Sequence, residues 1–396
     1  MIRTLSDLDA SGAAVGVRVD INSPLGDGGL ADDARIRAHL DTISELLERD
    51  ARVAVLAHQG RPGGSDFADL SAHAARLDEL LGHPVSYCDA TFSTEARSDV
   101  EALEPGEAVV LENTRFYSEE YMEFSPDDAA ETFLVRKLAP VFDAYVNDAF
   151  AAAHRSQPSL VGFPEHLPAY AGRVMEQELD VLGNVSESPT PRVYLLGGAK
   201  IEDSLKVARS VLERGLADDI LAAGIVGNAF LLAAGVRLGA ASASVVNERS
   251  SEAVQQAGEL LDEFGPRIHL PRDVAVERGG ERVELDVDAL PAQEPAMDLG
   301  AKTVSHFAEL LEDAGTAVLN GPAGVFEEEM FSFGTKELYR AATRAEHSIV
   351  GGGDTAAALR RLEITGFSHI STGGGACLNM LTGDTLPAVE ALQQEQ

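Results

Sequence analysis

The stretch HSIVGGGDTAAALRR, residues 347–361, decides the fold. Ile349 and Val350 carry a short β-branched run of the kind that fills a buried strand. Three glycines follow, and AAALRR then supplies good helix formers. Strand, glycine turn and helix in that order form the repeating unit of a parallel sheet covered by helices. The pattern recurs on both sides of this stretch. In the second half, strands are expected in RVYLLGG from Arg192, DILAAG from Asp219, RIHLP from Arg267, TAVLNGP from Thr316 and SHISTGGG from Ser368. In the first half they are expected in GVRVDI from Gly16, RVAVLAH from Arg52, EAVVLEN from Glu107 and FDAYVND from Phe142. Helical stretches such as ARIRAHLDTISELLERD from Ala34 lie between them. YAGRVMEQELDVLGNV from Tyr170 has a helical period and suits a connector, and SPTP from Ser188 breaks the chain after it. The expected class is α/β, with two domains, each a parallel sheet flanked by helices, joined by a hinge helix.

Nearly every expected strand runs into polar residues or glycines at its C-terminal end, where open α/β sheets bind ligands. The halves differ in what they place there. The first collects cations: Arg35, His58, Arg61, Arg115, His154 and Arg155. Ordinary turns use glycine and aspartate, so repeated arginine and histidine point to an anion site. The second collects glycine turns and one lysine, Lys200, which suits a nucleotide polyphosphate.

Composition narrows the partners. Thirty-one basic residues stand against 65 acidic ones, a formal charge of −34, and only five residues are lysine. Nucleic acid and anionic membrane are disfavoured, because both need a basic face. An acidic surface of this size fits high salt, where ions screen its self-repulsion. Cys88 and Cys377 lie far apart and outside any metal-binding spacing, which fits a reducing cytoplasm. MIRTLSDLDASG has no apolar signal core, and no apolar run is long enough to span a bilayer.

Gly351, Gly353 and Ala356 match GxGxxA after a strand, but the acidic ribose ligand about 20 residues on is missing. A nicotinamide-dependent dehydrogenase stays open as an alternative on that match. The P-loop spacing GxxxxGK[ST] is absent, and so is the protein-kinase motif set.

Nine motifs in order carry a more specific resemblance: VRVDINSP from Val17, AHQGRP from Ala57, LENTRF from Leu111, YVNDAFAAAHRSQPS from Tyr145, GGAK from Gly197, LPRD from Leu270, NGPAGVFE from Asn320, GGGDTAAA from Gly351 and STGGGA from Ser371. Together they make the chain similar, along its whole length, to the phosphoglycerate kinases, and its wording resembles the archaeal branch. The resemblance implies two Rossmann-like domains. Residues 1–168 would bind 3-phosphoglycerate, 169–186 would form the hinge helix and 187–381 would bind nucleotide, with the tail 382–396 returning to the first domain. A cytoplasmic monomer working in glycolysis and gluconeogenesis, with ATP and Mg2+, is implied as well.

By motif position, Asp20 and Asn22 would hold the glycerate hydroxyl and carboxylate region. Arg35, His58, Arg61, Arg115 and Arg155 would form the basic patch. Lys200 would contact the moving phosphoryl group, with Arg35 on its other side. Backbone amides of Gly373, Gly374 and Gly375 would stabilise its spreading charge. Gly224, Asn320 and Pro322 would line the nucleotide groove and Glu327 would hold the ribose. Gly351, Gly352, Gly353 and Thr355 would meet phosphate, and Asp354 would hold the metal. The chain departs from the family where GGAK is usually followed by a second lysine. Ser204 stands there, and Lys206 lies two residues on, on another helical face. A relative that binds nucleotide without turnover therefore remains a further alternative. Leu319, Ala323 and the turn Ala223–Gly224–Ile225 are smaller departures around the nucleotide groove.

Overall fold

The computed structural model describes residues 2–26 and 29–393. The chain divides into two compact units. One runs to Asp180 and also takes the chain from Thr385 onward, and the other is Val181–Asp384. The last three residues of the expected tail, 394–396, lie outside the described residues.

The first unit holds a six-stranded parallel sheet. Its strands are β1 (Ala14–Arg18), β2 (Arg52–Leu56), β3 (Val85–Cys88), β4 (Ala108–Leu111), β5 (Ala144–Asn147) and β6 (Ala169–Ala171). Their order across the sheet is β3-β4-β2-β1-β5-β6. All five residues of β1 are buried, because helices cover both faces of a parallel sheet. Gly16 in its middle leaves room for Phe142, whose ring would stand 2.6 Å from an added Cβ.

The second unit holds another six-stranded parallel sheet. It is formed by β7 (Arg192–Leu196), β8 (Asp219–Ala222), β9 (Ile268–His269), β10 (Thr316–Asn320), β11 (His347–Gly351) and β12 (His369–Ile370). The order is β9-β8-β7-β10-β11-β12. Flanking helices such as Ile201–Glu213 bury one face, here with Leu205, Ala208 and Leu212 at helical spacing. Truncating buried Leu205 to alanine would cost about 2–5 kcal/mol.

In each sheet the chain first moves outward on one side and later returns to the other. The reversal falls between β1 and β5 in the first sheet and between β7 and β10 in the second. Crevices open at the carboxyl ends of strands at such points.

Three local expectations change. Residues 169–171 belong to edge strand β6, so the connecting helix begins only at Arg173 and runs to Gly183. The helical stretch from Ala34 is two helices, Ala34–Ala38 and Leu40–Glu48, parted at His39. Between β9 and β10 lies a small antiparallel sheet of Asp273–Arg278, Glu281–Asp286 and Asp298–Leu299.

Candidate active site

In the first unit, the segments that follow β1, β2, β4 and β5 meet at one end of the sheet. Arg18, the last residue of β1, is buried. It donates from Nε to Ser159 Oγ at 2.9 Å and from Nη1 to the Val19 carbonyl, while its Nη2 lies 2.9 Å from His58 Nδ1. Asp20 Oδ2 lies 2.6 Å from Arg35 Nη1. Asn22 Oδ1 accepts the Gly60 N–H at 2.9 Å. Arg115 donates from Nη1 to the Gly60 carbonyl at 2.6 Å, and Asn113 Oδ1 accepts the N–H groups of Gln59 and Arg115. Arg155 Nε donates to His154 Nε2 at 3.2 Å.

Burial pushes the His58 imidazolium well down, and Arg18, Arg115 and Arg155 add to that against the pull of Asp20, so the ring is neutral at physiological pH. Burial pushes the Asp20 carboxyl up, but the surrounding positive groups outweigh it and hold it at about 2. With His58 neutral, Arg35 and Arg18 carry that effect at neutral pH. Burial, with Arg155 and Arg18 nearby, brings Arg115 down to about 10. Arg155 is lowered by burial and then by Arg61. Among the described residues, Arg18, Arg61, Arg115 and Arg155 form no ion pair with a carboxylate, although the chain carries 65 acidic residues. Cations left unpaired together in so acidic a chain can take an external anion through forked N–H groups.

In the second unit, Leu196 at the end of β7 is in register with Asn320 at the end of β10. The turns beyond them are laced together: Gly197 N–H donates to the Asn320 carbonyl at 2.8 Å, and Gly198 N–H to the Pro322 carbonyl at 2.7 Å. Gly321 has φ +86°, and a Cβ there would strike the Gly197 carbonyl. Three helices begin around this crossing: Ile201–Glu213 just after Lys200, Gly353–Arg361 and Gly374–Thr382. Lys200, Asn320, Gly352, Gly353, Asp354, Thr355 and Gly374 line one cleft there. Free backbone N–H groups and aligned dipoles make helix starts good anion sites. Lys200 is exposed and makes no side-chain bond among the described residues.

Gly198, Ala199 and Asp354 also border a second cavity of ≈ 350 Å³, lined by Gly224, Pro322 and Glu327 and walled by Met297 and Phe326. The two spaces share Asp354, whose carboxylate has no partner among the described residues. An uncommitted carboxylate beside helix starts suits an oxygen-seeking divalent ion.

Several expected residues at or beside that cleft are buried or already bonded. Thr355 is fully buried and its hydroxyl accepts the Gly321 N–H at 2.7 Å, so its side chain braces the turn. Gly351 is the buried end of β11, against Cys377. The Gly373 N–H is taken by Ser371 Oγ at 3.2 Å, Gly375 is exposed, and of the three glycines only Gly374 borders the cleft. Ser204 lines the cleft as a buried residue with Oγ 3.5 Å from the Gly197 carbonyl, whereas Lys206 is exposed outside that lining.

Sequence reasoning missed Arg18, His39 and Asp148 in the first unit, and Met297, Asp298 and Phe326 in the second. Arg18 lies inside VRVDINSP as part of a strand, and Asp148 inside YVNDAFAAAHRSQPS as a polar residue at a strand end.

The family model described as phosphoglycerate kinase matches residues 5–384. The chain is 72% identical to the phosphoglycerate kinase of Natronomonas pharaonis over 396 residues, covering 100% of both. It is 63% identical to that of Halobacterium salinarum, covering 99% of this chain and 100% of the relative. Among solved structures, phosphoglycerate kinase from Pyrococcus horikoshii matches with a TM-score of 0.92 and 44% identity, over 99% of this chain and 98% of that one. The chain belongs to the phosphoglycerate kinase family. The dehydrogenase alternative finds no support in these matches.

Proposed function

We propose that the chain transfers a phosphoryl group reversibly between ATP and the carboxylate of 3-phospho-D-glycerate, giving ADP and 1,3-bisphosphoglycerate. The first unit holds the acid and the second holds the nucleotide. The observation that carries this is the group of arginines without ion pairs at the strand ends of the first sheet, in a chain of charge −34. The reading includes Mg2+ as cofactor, a monomer, and work in glycolysis and gluconeogenesis in the cytoplasm of a high-salt cell. Relatives from halophilic archaea support the last point. Among the described residues no helix is long and apolar enough to cross a membrane.

The acceptor is a carboxylate, ionised at neutral pH, so no general base is needed. The chain's own work is positioning and charge neutralisation, as phosphoryl transfer requires. Arg61, Arg115 and Arg155 offer forked N–H groups to the phosphate of the acid. His58 accepts from Arg18 through Nδ1, so Nε2 carries the proton and donates toward substrate oxygen. Asp20, ionised, orients Arg35 and accepts from the glycerate hydroxyl. Lys200 and the helix starts take the phosphates of the nucleotide, and Glu327 takes the ribose. Asp354 would hold Mg2+, which would supply positive charge to the phosphates of the nucleotide.

The test is a coupled assay in high-potassium buffer that follows NADH loss through glyceraldehyde-phosphate dehydrogenase. Turnover is expected only with both 3-phosphoglycerate and MgATP, and Lys200→Ala should lower it at least tenfold. A folded protein silent across a wide salt range would reject the reading and favour a nucleotide-binding relative without turnover, with Ser204 the first residue to examine.

A further inference from the structure

His39 stands at the break between the helix Ala34–Ala38, which carries Arg35, and the helix Leu40–Glu48. Its side chain is buried, and so is that of Asp148. Nδ1 lies 2.7 Å from Asp148 Oδ2, and the Asp20 N–H donates to Nε2 at 3.1 Å. A carboxylate only accepts and a backbone N–H only donates. One neutral tautomer, with the proton on Nδ1, therefore satisfies both partners. The Asp20 carbonyl, 3.2 Å from the same Nε2, would be bonded only by a ring that carries a second proton.

The ring thus grips the backbone of Asp20, while the main chain of His39 closes the helix of Arg35 through its N–H to the Ile36 carbonyl at 3.1 Å. Both ends of the Arg35–Asp20 ion pair are fastened to one residue. Asp148 extends the connection. Its Oδ1 accepts the N–H groups of Val174 at 2.9 Å and Met175 at 3.2 Å, at the start of the helix Arg173–Gly183. Gly172 leaves space for this, since a Cβ there would strike Asp148. The helix after His39 grips the same start: Thr42 Oγ1 accepts the Arg173 N–H at 2.8 Å, and Glu45 pairs with the Arg173 side chain at 2.7 Å.

We propose that His39 is a positioning residue of the acid-substrate site, setting Arg35 against Asp20 and tying both, through Asp148, to the start of the helix Arg173–Gly183. The inference rests on the kinase reading above. The ion pair depends on an exposed side chain, because Arg35 is 44% exposed while Asp20 is 7% exposed. A long exposed arginine keeps one geometry only if its partner and its own helix are held rigidly.

The test uses the full chain and steady-state kinetics with each substrate varied in turn. His39→Phe keeps the ring volume and removes both bonds. His39→Gln keeps one donor and one acceptor. Asp148→Asn can still cap the helix through its oxygen but turns a donor toward Nδ1–H. His39→Phe is expected to raise the KM for 3-phosphoglycerate at least fivefold while the KM for ATP stays within twofold. His39→Gln should recover most of that loss, and Asp148→Asn should raise the same KM selectively. Should His39→Phe fail to fold, the Asp148→Asn kinetics decide alone. A folded His39→Phe with both KM values within twofold of wild type would overturn the proposal. So would an equal rise in both, or a glutamine variant no better than phenylalanine. Wild-type protein without turnover rejects the kinase reading instead, and the inference with it.

Discussion

Arg18 Nη2 meets Nδ1 of His58 at 2.9 Å, with both side chains buried. A guanidinium has no acceptor, so the contact fixes which imidazole nitrogen carries the proton. It also explains why an arginine occupies an otherwise apolar strand.

Arg18→Met should therefore act through His58. The substitution leaves a buried acceptor without its donor, at a cost of about 1–3 kcal/mol. Ser159 Oγ loses its donor as well. Lowered unfolding stability is expected, with weakened 3-phosphoglycerate binding in calorimetry and unchanged nucleotide binding.

Asp20 should make stability depend on pH at the acid end. Its carboxyl is held at about 2, below the ordinary 3.8. A lowered carboxyl contributes stability that is complete above about pH 4 and is lost as the pH falls toward 2. Asp20→Asn should then lower stability at pH 7 by removing the pairing with Arg35 and Arg18, and the difference from wild type should shrink below pH 4. Urea unfolding in concentrated KCl at stepped pH measures it.

Asp298 should behave in the opposite sense. Burial pushes its carboxyl up to about 6 and Glu284 adds to that, against the Gly334 and Leu299 N–H groups and Arg282. A raised carboxyl means that the ionised form is penalised in the fold above about pH 6, and the penalty fades toward pH 4. Oδ1 has no hydrogen-bond partner among the described residues, and an added Cβ on Gly324 or Gly334 would strike it. Asp298→Asn is expected to raise stability by about 1–2 kcal/mol at pH 8, with no gain near pH 4. Thermal unfolding of both proteins across that range gives the answer.

Gly321 is the test of the crossing turns. With φ +86° and the Gly197 carbonyl in the place of a Cβ, Gly321→Ala must push the two turns apart. It should cost about 2–4 kcal/mol and weaken ATP binding at least tenfold, with 3-phosphoglycerate binding preserved. Isothermal titration with each ligand separates the two effects.

The excess of acid over base predicts a salt requirement. Dialysis from molar KCl to a few millimolar should lower the unfolding midpoint, because repulsion among surface carboxylates is no longer screened. A midpoint that does not move with salt would refute this.

The parallel strands with β-branched runs were legible because burial on both faces leaves a continuous apolar signature, as in VAVL at β2 and AVVL at β4. VSYC at β3 and AYA at β6 were not, since short edge strands carry polar or small residues. The hairpin at Arg278–Glu281 had a signal that went unused: Gly279 and Gly280, both at positive φ, between alternating residues. That hairpin's sheet brings Val274 and Met297 to the cavity of ≈ 350 Å³, so one of its walls lies outside the parallel strands. In the first unit the cations were visible as strand-end residues. The buried bonds that aim them, from Arg18, His39 and Asp148, depend on pairings over more than a hundred residues that no local pattern reveals.

The chain from Thr385 onward belongs with the first unit, where the helix Pro387–Leu392 buries Ala388, Val389, Ala391 and Leu392 and the Ala388 N–H donates to the Ala153 carbonyl. The second unit is one uninterrupted segment. On the ribosome, that segment is complete while the first unit still waits for its cover. Synthesis therefore finishes the second unit before the first, and a nascent chain stalled short of Pro387 holds one finished unit and one with an open flank.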